Sequence, residues 1–91
     1  MSTWFVYIVR CADKTLYTGI TIDALSRVRV HNSGKGAKYT RARRPVRLVY
    51  KEAMATGTAA RQREAQIKKM TRAEKIKLVK RRRRSSAQFF G

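Results

Sequence analysis

The sequence is poor in acidic residues, cysteine and long apolar runs, and each shortage excludes a class of protein. Only 5 of its 91 residues are Asp or Glu, against 23 Lys or Arg. The single cysteine, Cys11, has no partner for an internal disulfide, which excludes a disulfide-stapled secreted domain and predicts a reducing compartment such as the cytoplasm. The longest strongly apolar run, residues 4–9, is too short to span a membrane, and residues 1–3 lack the positive charge of a signal peptide.

The excess of basic residues gives the chain a formal net charge of +18 at pH 7. Such a charge predicts an anionic partner, and nucleic acid ranks before an anionic membrane or plain solubility because no basic stretch also carries a broad apolar face. The cationic run 80–84 accounts for only five of these charges, so the domain itself is basic. Because 43% of the residues are hydrophobic, we expect the chain to fold as one small domain.

Three segments rich in β-branched and aromatic residues predict strands. Residues 3–10 and 15–21 flank a turn that contains Asp13, which favours an antiparallel hairpin. Residues 46–54 alternate apolar with polar side chains and predict a third strand. Gly19 lies inside the second strand, where a glycine indicates either a β-bulge or a close approach to the backbone.

A first helix is predicted between the second and third strands. Asp23 is placed to cap it, and it is expected to end near His31, before Asn32-Ser33-Gly34. Residues 33–44 have no hydrophobic period and many small or basic side chains, so they are predicted to form a loop that ends at Pro45. The apolar side of the first helix is predicted to consist of Ala24, Leu25 and Val28.

Two further helices are predicted in the last third of the chain. Thr56 or Thr58 caps a helix that runs to about residue 70, and Thr71 with Glu74 forms a capping box for a helix that runs to about residue 82. The resulting order, β-β-α-β-α-α, predicts a small α+β sandwich in which helices flank a three-stranded antiparallel sheet. The apolar side of the last helix is predicted to consist of Ala73, Ile76 and Val79.

A carboxylate on the predicted inner face of the second-last helix is the most informative irregularity. Ala60, Glu64 and Ile67 share one side of that helix because they stand at positions i, i+4 and i+7. A carboxylate there is suited to hold a divalent cation whose remaining ligands are water and a substrate phosphate. A salt bridge to one of the many Lys or Arg residues is an equally good interpretation.

Four further residues are candidates for chemistry. Arg27 and His31 stand four residues apart on the first helix, where an arginine can clamp a phosphate and a histidine can move a proton. A solvated basic helix face is the simpler interpretation of that pair. Tyr7 and Tyr17 lie on the paired strands, where their phenols can meet, although tyrosines in such positions are usually core residues with their hydroxyls at the rim.

The order and spacing of these residues resemble the GIY-YIG nuclease superfamily. The matching residues are Tyr7, Tyr17-Thr18-Gly19, Arg27, His31 and Glu64. Residues 31–40 (HNSGKGAKYT) and 45–50 (PVRLVY) look like the small stand-alone members of the UPF0213 type. The resemblance covers about residues 3–80, although the first motif reads Phe5-Val6-Tyr7 where the family name has Gly-Ile-Tyr. It implies a catalytic domain over residues 1–82, with residues 83–91 as a flexible basic tail.

The resemblance implies a DNA endonuclease that hydrolyses phosphodiester bonds with Mg²⁺ or Mn²⁺ and weak sequence preference, in DNA repair or recombination. Tyr7 or Tyr17, aided by His31, would activate the attacking water; Arg27 would stabilise the pentacovalent phosphate. Glu64 would hold the metal ion. Gly19 would match the motif glycine that lets the backbone pack tightly beside the site.

The expected partner is DNA, with branched or damaged DNA and RNA left open, and without a membrane, a haem or a nucleotide cofactor. Two other functions stay open: a nucleic-acid-binding module on the same fold that does not cleave, and a subunit whose basic tail docks an acidic partner or RNA. The residues expected to hold the phosphate backbone are Lys35, Lys38, Tyr39, Arg41, Arg43, Arg44 and Lys68.

Overall fold

The computed structural model describes residues 3–85, where the backbone forms three strands and four helices. This arrangement confirms the predicted α+β class with a three-stranded antiparallel sheet and flanking helices. Of the predicted basic tail, residues 83–85 continue the last helix and residues 86–91 lie outside the described residues. The elements in chain order are β1 (Trp4–Arg10), β2 (Leu16–Thr21), α1 (Ala24–Asn32), α2 (Lys38–Arg41), β3 (Arg47–Met54), α3 (Gly57–Lys68) and α4 (Arg72–Ser85).

Strand β1 is the centre of the sheet, with β2 on one side and β3 on the other, both antiparallel. The β1–β2 hairpin forms because the Asp13 carboxylate accepts hydrogen bonds from both the backbone N–H and the hydroxyl of Thr15, at 3.1 and 2.6 Å. Lys14 completes the turn at a φ of 70°. In the register of this hairpin Tyr7 lies opposite Gly19, and Val9 lies opposite Tyr17. The two tyrosines therefore project from the same face of the sheet.

Alternate residues of β1 divide the core into two parts. Val6 and Ile8 face α3 and α4, where they pack against Ala60, Ile67 and Val79. Tyr7 and Val9 face the other side, towards α1, where they cluster with Cys11 and Val46. Full burial of each large apolar side chain contributes about 1.5–3 kcal/mol, so both faces of β1 stabilise the fold.

Helix α1 begins as predicted, because the Asp23 carboxylate accepts a hydrogen bond from the Ser26 backbone N–H at 3.1 Å. Its buried side differs from the prediction. Leu25 is 65% exposed, whereas Ala24 and His31 are buried and Val28 packs beneath the helix. These three residues stand at i, i+4 and i+7, so the histidine belongs to the inner face of the helix and the leucine does not.

The last two helices are capped by threonines. Thr56 accepts a hydrogen bond from the Ala59 backbone N–H at 3.0 Å at the start of α3. The predicted capping box of α4 is confirmed, since Glu74 accepts from the Thr71 N–H at 2.8 Å and Thr71 accepts from the Glu74 N–H at 3.2 Å. Ile76 is half-buried and Val79 is buried on α4, as predicted, but Ala73 is exposed. The first turn of α4 therefore extends beyond the core.

Helix α2 interrupts the predicted loop over residues 33–44. It is a single turn, Lys38–Arg41, and no side chain caps its N-terminus. The prediction of a continuous loop was wrong here because one turn is too short to show a helical period. In the described part of the chain, no helix is long and apolar enough to cross a lipid bilayer.

Candidate active site

A buried tyrosine–histidine pair lies at the centre of the candidate site. Tyr7 projects from the central strand β1 and is 1% exposed, and His31 projects from the C-terminal end of α1 and is 0% exposed. The Tyr7 hydroxyl and His31 Nε2 are 2.8 Å apart, which is a hydrogen bond. Because a buried imidazole requires polar partners, this contact fixes the inward orientation of His31.

Gly19 allows the Tyr7 ring to lie across β2. A Cβ atom built at Gly19 would stand 2.6 Å from the Tyr7 hydroxyl oxygen and 2.7 Å from Cζ, which is much closer than side-chain atoms pack. Of the two interpretations of this glycine, the close approach is therefore confirmed. The irregularity in the sheet lies elsewhere, between Ile8 and Val9 in the pairing of β1 with β3.

Residues 36–40 close the site over the other side of the imidazole. The hydroxyl of Thr40 in α2 lies 2.8 Å from His31 Nδ1, and Thr40 is 0% exposed. Gly36 packs directly on the ring, since a Cβ atom there would stand 2.5 Å from Nδ1 and 2.8 Å from the His31 Cα. Both nitrogens of His31 are thus hydrogen-bonded inside the protein.

A column of stacked side chains borders the pair on its exposed side. The Tyr17 ring meets the His31 ring edge-on at 5.4 Å, and Tyr39 stacks on Tyr17 at 5.9 Å with 24° between the planes. The Arg43 guanidinium lies 3.9 Å from the centre of the Tyr39 ring. Asp13 and the Tyr39 carbonyl hold this guanidinium through hydrogen bonds of 3.1 and 2.7 Å. Tyr39 itself is 38% exposed.

Arg27 acts electrostatically on both members of the pair. Burial raises the pKa of the Tyr7 phenol, and the nearby positively charged Arg27 guanidinium opposes this rise. Burial also lowers the pKa of His31, and the charge of Arg27 lowers it further. At neutral pH the phenol therefore keeps its proton while the imidazole remains neutral and able to accept one.

Glu64 completes the predicted set from α3. Ala60 and Ile67 on the same side of α3 are 0% exposed, whereas the Glu64 side chain is 22% exposed, so the carboxylate lies at the edge of the core. Its negative charge is among the influences that raise the pKa of Tyr7, which places it within electrostatic range of the phenol. Glu64 also forms an ion pair with Lys68 at 3.2 Å. The salt-bridge interpretation of this carboxylate is therefore confirmed, and the metal-ligand interpretation stays a prediction.

The donor set fits a metal ion only in one specific mode. Among residues 3–85 no group of three or more His, Cys, Asp or Glu side chains is placed to surround a cation. Mg²⁺ commonly binds through one or two carboxylates, with water and substrate phosphate as the other ligands, and Glu64 can supply one carboxylate. The ion pair with Lys68 competes with a cation for this carboxylate, but an i, i+4 pair on a helix contributes only about 0.3–0.5 kcal/mol.

Six of the seven predicted backbone-binding residues fall into two groups, and the seventh, Tyr39, lies between Tyr17 and Arg43 as described above. Lys35, Lys38 and Arg41 have exposed side chains around α2. Arg44 donates to the Arg41 carbonyl at 2.9 Å and lies over Gly34, and the side chains of Arg43 and Lys68 are held by Asp13 and Glu64. Arg43 and Arg44 therefore stabilise the segment 33–44, and Lys68 stabilises α3, in addition to adding positive charge. Contact of either group with DNA stays a prediction.

Thr40 is the site residue that sequence reasoning missed. It lies in a stretch without periodicity, among basic residues that suggested phosphate contacts instead. The available signal was the lone histidine on the inner face of α1, because a buried imidazole needs a partner at each nitrogen. The two partners are Tyr7 on β1 and Thr40 on α2, and no local sequence pattern shows that they meet His31.

Comparison with known proteins identifies the family of this chain. The family model for the GIY-YIG catalytic domain matches residues 3–77. A UPF0213 protein of Syntrophus aciditrophicus is 57% identical over 81 residues, which cover 88% of this chain and 93% of that protein. A UPF0213 protein of Staphylococcus aureus is 52% identical over 82 residues, which cover 90% of this chain and 100% of that protein.

Two solved structures are also similar. The solution NMR structure of a UPF0213 protein from Bacillus halodurans is 44% identical, with a TM-score of 0.56 over 86% of this chain and 83% of that one. The solution NMR structure of a protein from E. faecalis is 36% identical, with a TM-score of 0.60 over 88% and 85% of the two chains. Since the family model spans most of the sequence and the relatives match over nearly their whole length, this chain belongs to the GIY-YIG family, among relatives named UPF0213 proteins.

Proposed function

We propose that this protein is a metal-dependent endonuclease that hydrolyses phosphodiester bonds in DNA. The observation that carries the proposal is the hydrogen bond between the buried Tyr7 phenol and the neutral His31, with Arg27 and Glu64 in electrostatic range of the phenol. A structural tyrosine–histidine contact does not need an arginine and a carboxylate beside it. A phosphodiesterase needs a proton acceptor, a positive charge for the phosphate and an acidic metal ligand.

The proton moves from water to His31 by way of Tyr7. Because its pKa is raised, the Tyr7 phenol is not a phenolate at neutral pH, so it can take a proton from water only while it gives its own proton away. His31 Nε2 lies 2.8 Å from the phenol oxygen and is the acceptor. As the water oxygen bonds to phosphorus, the water proton passes to Tyr7 and the phenol proton passes to Nε2. The bond from phosphorus to the leaving oxygen breaks, and that oxygen takes a proton from solvent.

Arg27 and Glu64 have separate tasks in this reaction. The Arg27 guanidinium offers a planar set of donors to the non-bridging phosphate oxygens, where negative charge increases in the transition state. Glu64 would hold Mg²⁺ or Mn²⁺, which when bound supplies positive charge at the leaving oxygen. The exposed Lys35, Lys38 and Arg41 would bind the backbone next to the scissile phosphate.

The matched pair of variants Glu64→Gln and Glu52→Gln tests this proposal. Glu52 is the control because its carboxylate is also part-buried and also ion-paired, to Arg63 at 2.8 Å. Supercoiled plasmid and a branched duplex are incubated with wild type and each variant, with Mg²⁺, with Mn²⁺ and with a chelator. We expect wild type and Glu52→Gln to cleave only with a divalent ion, and Glu64→Gln to lose at least about 100-fold in rate. Cleavage in the chelator, or full activity of Glu64→Gln, would overturn the proposal.

One observation favours a second function, a nucleic-acid-binding module that does not cleave. The ion pair of Glu64 with Lys68 occupies the carboxylate that would hold the metal ion. In that case wild type binds DNA in an electrophoretic mobility assay but leaves it intact with every divalent ion. Glu64→Gln would then bind DNA at least as tightly as wild type, because the substitution removes a negative charge from the surface.

A further inference from the structure

We propose that Thr40 is a positioning residue that fixes the tautomer of His31, and with it the direction in which the Tyr7 proton can move. This inference rests on the proposed function, in which Tyr7 and His31 carry the proton of the attacking water. Thr40 touches neither of the reacting atoms in that scheme. Its task is to decide which nitrogen of the imidazole is left free to accept.

The hydrogen-bond partners of the Thr40 hydroxyl favour one tautomer of His31. The Thr40 hydroxyl has one proton, and it lies 3.0 Å from the Ala37 carbonyl, which can only accept. With that proton donated to Ala37, the hydroxyl oxygen must accept at its 2.8 Å contact with His31 Nδ1. His31 therefore carries its hydrogen on Nδ1. A neutral imidazole has only one N–H, so Nε2 is a bare acceptor and the Tyr7 hydroxyl donates to it.

The surrounding backbone holds Thr40 in this role. The backbone N–H groups of Thr40 and Arg41 also donate to the Ala37 carbonyl, at 3.1 and 3.2 Å, so the single turn of α2 sets the position of the Thr40 hydroxyl. Gly36 packs closely against the imidazole, since a Cβ atom there would stand 2.5 Å from Nδ1. Thr40 and His31 are both 0% exposed, so water does not replace the hydroxyl as a partner of Nδ1.

The direction of the hydrogen bond between Tyr7 and His31 matters for the chemistry. In the Nδ1–H form the Tyr7 hydroxyl donates a hydrogen bond to Nε2, so the lone pairs of its oxygen are free to accept a proton from water. In the Nε2–H form His31 donates to that same oxygen and has no lone pair there to receive the phenol proton. The proton then has no acceptor inside the site, and the relay stops. The acceptor at Nδ1 thus sets the tautomer of a catalytic imidazole, as hydrogen bonds to the second nitrogen generally do.

The first arm of the test reads the tautomer directly and needs no substrate. The chain contains one histidine, so its two imidazole nitrogens give unambiguous signals in a long-range ¹H–¹⁵N NMR spectrum. In wild type at pH 7.5 we expect Nδ1 to be protonated and Nε2 to be bare. Thr40→Ser, which keeps the hydroxyl, should give the same pattern, and Thr40→Val, which keeps the shape without the hydroxyl, should shift the population towards Nε2–H. Protonated Nε2 as the main wild-type form would overturn the proposal.

The second arm measures cleavage by the same three proteins across pH 6–9. We expect Thr40→Val to lose about 100-fold in kcat with KM within twofold of wild type, and Thr40→Ser to stay within about threefold in both. Equal kcat for wild type and for a Thr40→Val protein with the altered tautomer would overturn the positioning role. If Thr40→Val does not fold, the wild-type spectrum and the Thr40→Ser kinetics decide. If wild type does not cleave, the proposed function is wrong, and the NMR spectra alone then decide whether Thr40 fixes the tautomer of His31.

Discussion

Replacement of Gly19 by alanine would put a methyl group where the Tyr7 ring now lies. The new Cβ would stand 2.6 Å from the Tyr7 hydroxyl oxygen, 2.7 Å from Cζ and 2.9 Å from Cε1. The ring has no easy way to retreat, because Tyr7 is 1% exposed and its hydroxyl is bound to His31 at 2.8 Å. The substitution is therefore expected to push the phenol away from the position that the proposed proton relay requires.

Two opposing effects set the magnitude. An extra methyl group forced into a well-packed core costs about 1–3 kcal/mol. Alanine in a strand gains about 0.5–1 kcal/mol over glycine, because the unfolded chain is less flexible. The free energy of unfolding should therefore fall by up to about 2.5 kcal/mol, which for a domain of this size lowers Tm by up to roughly 20 °C. Cleavage should fall at least about tenfold, since displacement of the phenol lengthens its bond to His31.

Urea denaturation and plasmid cleavage at a temperature where every variant is folded measure the two effects. Gly57→Ala is the control, because a Cβ at Gly57 meets the nearest Trp4 atom at 3.2 Å, a tight contact that a small shift of the half-buried Trp4 ring relieves, at the start of a helix where alanine is favoured. We expect this control to change stability by less than about 0.5 kcal/mol and to cleave as wild type does. Wild-type stability and activity of Gly19→Ala would refute the argument that Tyr7 needs this glycine.

A buried hydroxyl, a buried imidazole and an exposed basic patch give three further predictions. Thr18→Val should raise the free energy of unfolding by about 1 kcal/mol in urea, because the buried Thr18 hydroxyl has no hydrogen-bond partner within residues 3–85; a loss of stability would contradict this. Since the folded state holds His31 neutral and the unfolded chain protonates it near about pH 6.5, stability should fall as the pH drops below about 6.5. This loss of stability should end below the pKa of His31 in the folded state, and it should be absent in His31→Gln. The carboxyl groups with a lowered pKa affect stability only below about pH 5, so they do not account for a loss between pH 7 and 5. A wild-type stability that does not change between pH 7 and 5 would contradict the prediction. Replacement of Lys35, Lys38 and Arg41 by alanine should reduce the slope of log K for DNA against log[salt] by up to about 2.7, whereas an unchanged slope would place all three outside the interface.

The elements that the sequence predicts well are those whose signals are local. Asp23 caps α1 and Thr71 with Glu74 caps α4, because a cap depends on side chains within a few residues of the backbone groups that they satisfy. The hairpin also follows from local patterns, since the Asp13 turn lies between two runs of β-branched and aromatic residues. The inward position of Glu64 follows from the helical period on α3.

The parts that were not predictable depend on tertiary partners. Leu25 is predicted on the inner face of α1 because it is apolar, yet it is 65% exposed, and His31, which is hydrogen-bonded to Tyr7, lies on that face instead. Helix α2 is only one turn long, and its Thr40 contacts the imidazole of His31. The local sequence does not show this contact, because it depends on how α1 and α2 pack beside β1. Arg43 and Arg44 look like phosphate ligands in the sequence, and only the folded loop brings Asp13 and backbone carbonyls to them.

The central claim is that Tyr7 relays a proton, and single-turnover cleavage of plasmid DNA by Tyr7→Phe against Tyr50→Phe tests it most directly. Both tyrosines are almost fully buried and hydrogen-bonded through their hydroxyls, Tyr7 to His31 and Tyr50 to Glu52 at 3.0 Å. Of these two tyrosines, only Tyr7 lies on the face of the sheet that carries His31. With the divalent ion saturating, Tyr7→Phe should lose at least about 100-fold in rate while Tyr50→Phe stays within about threefold of wild type. Equal rates for the two variants would contradict the proposed relay.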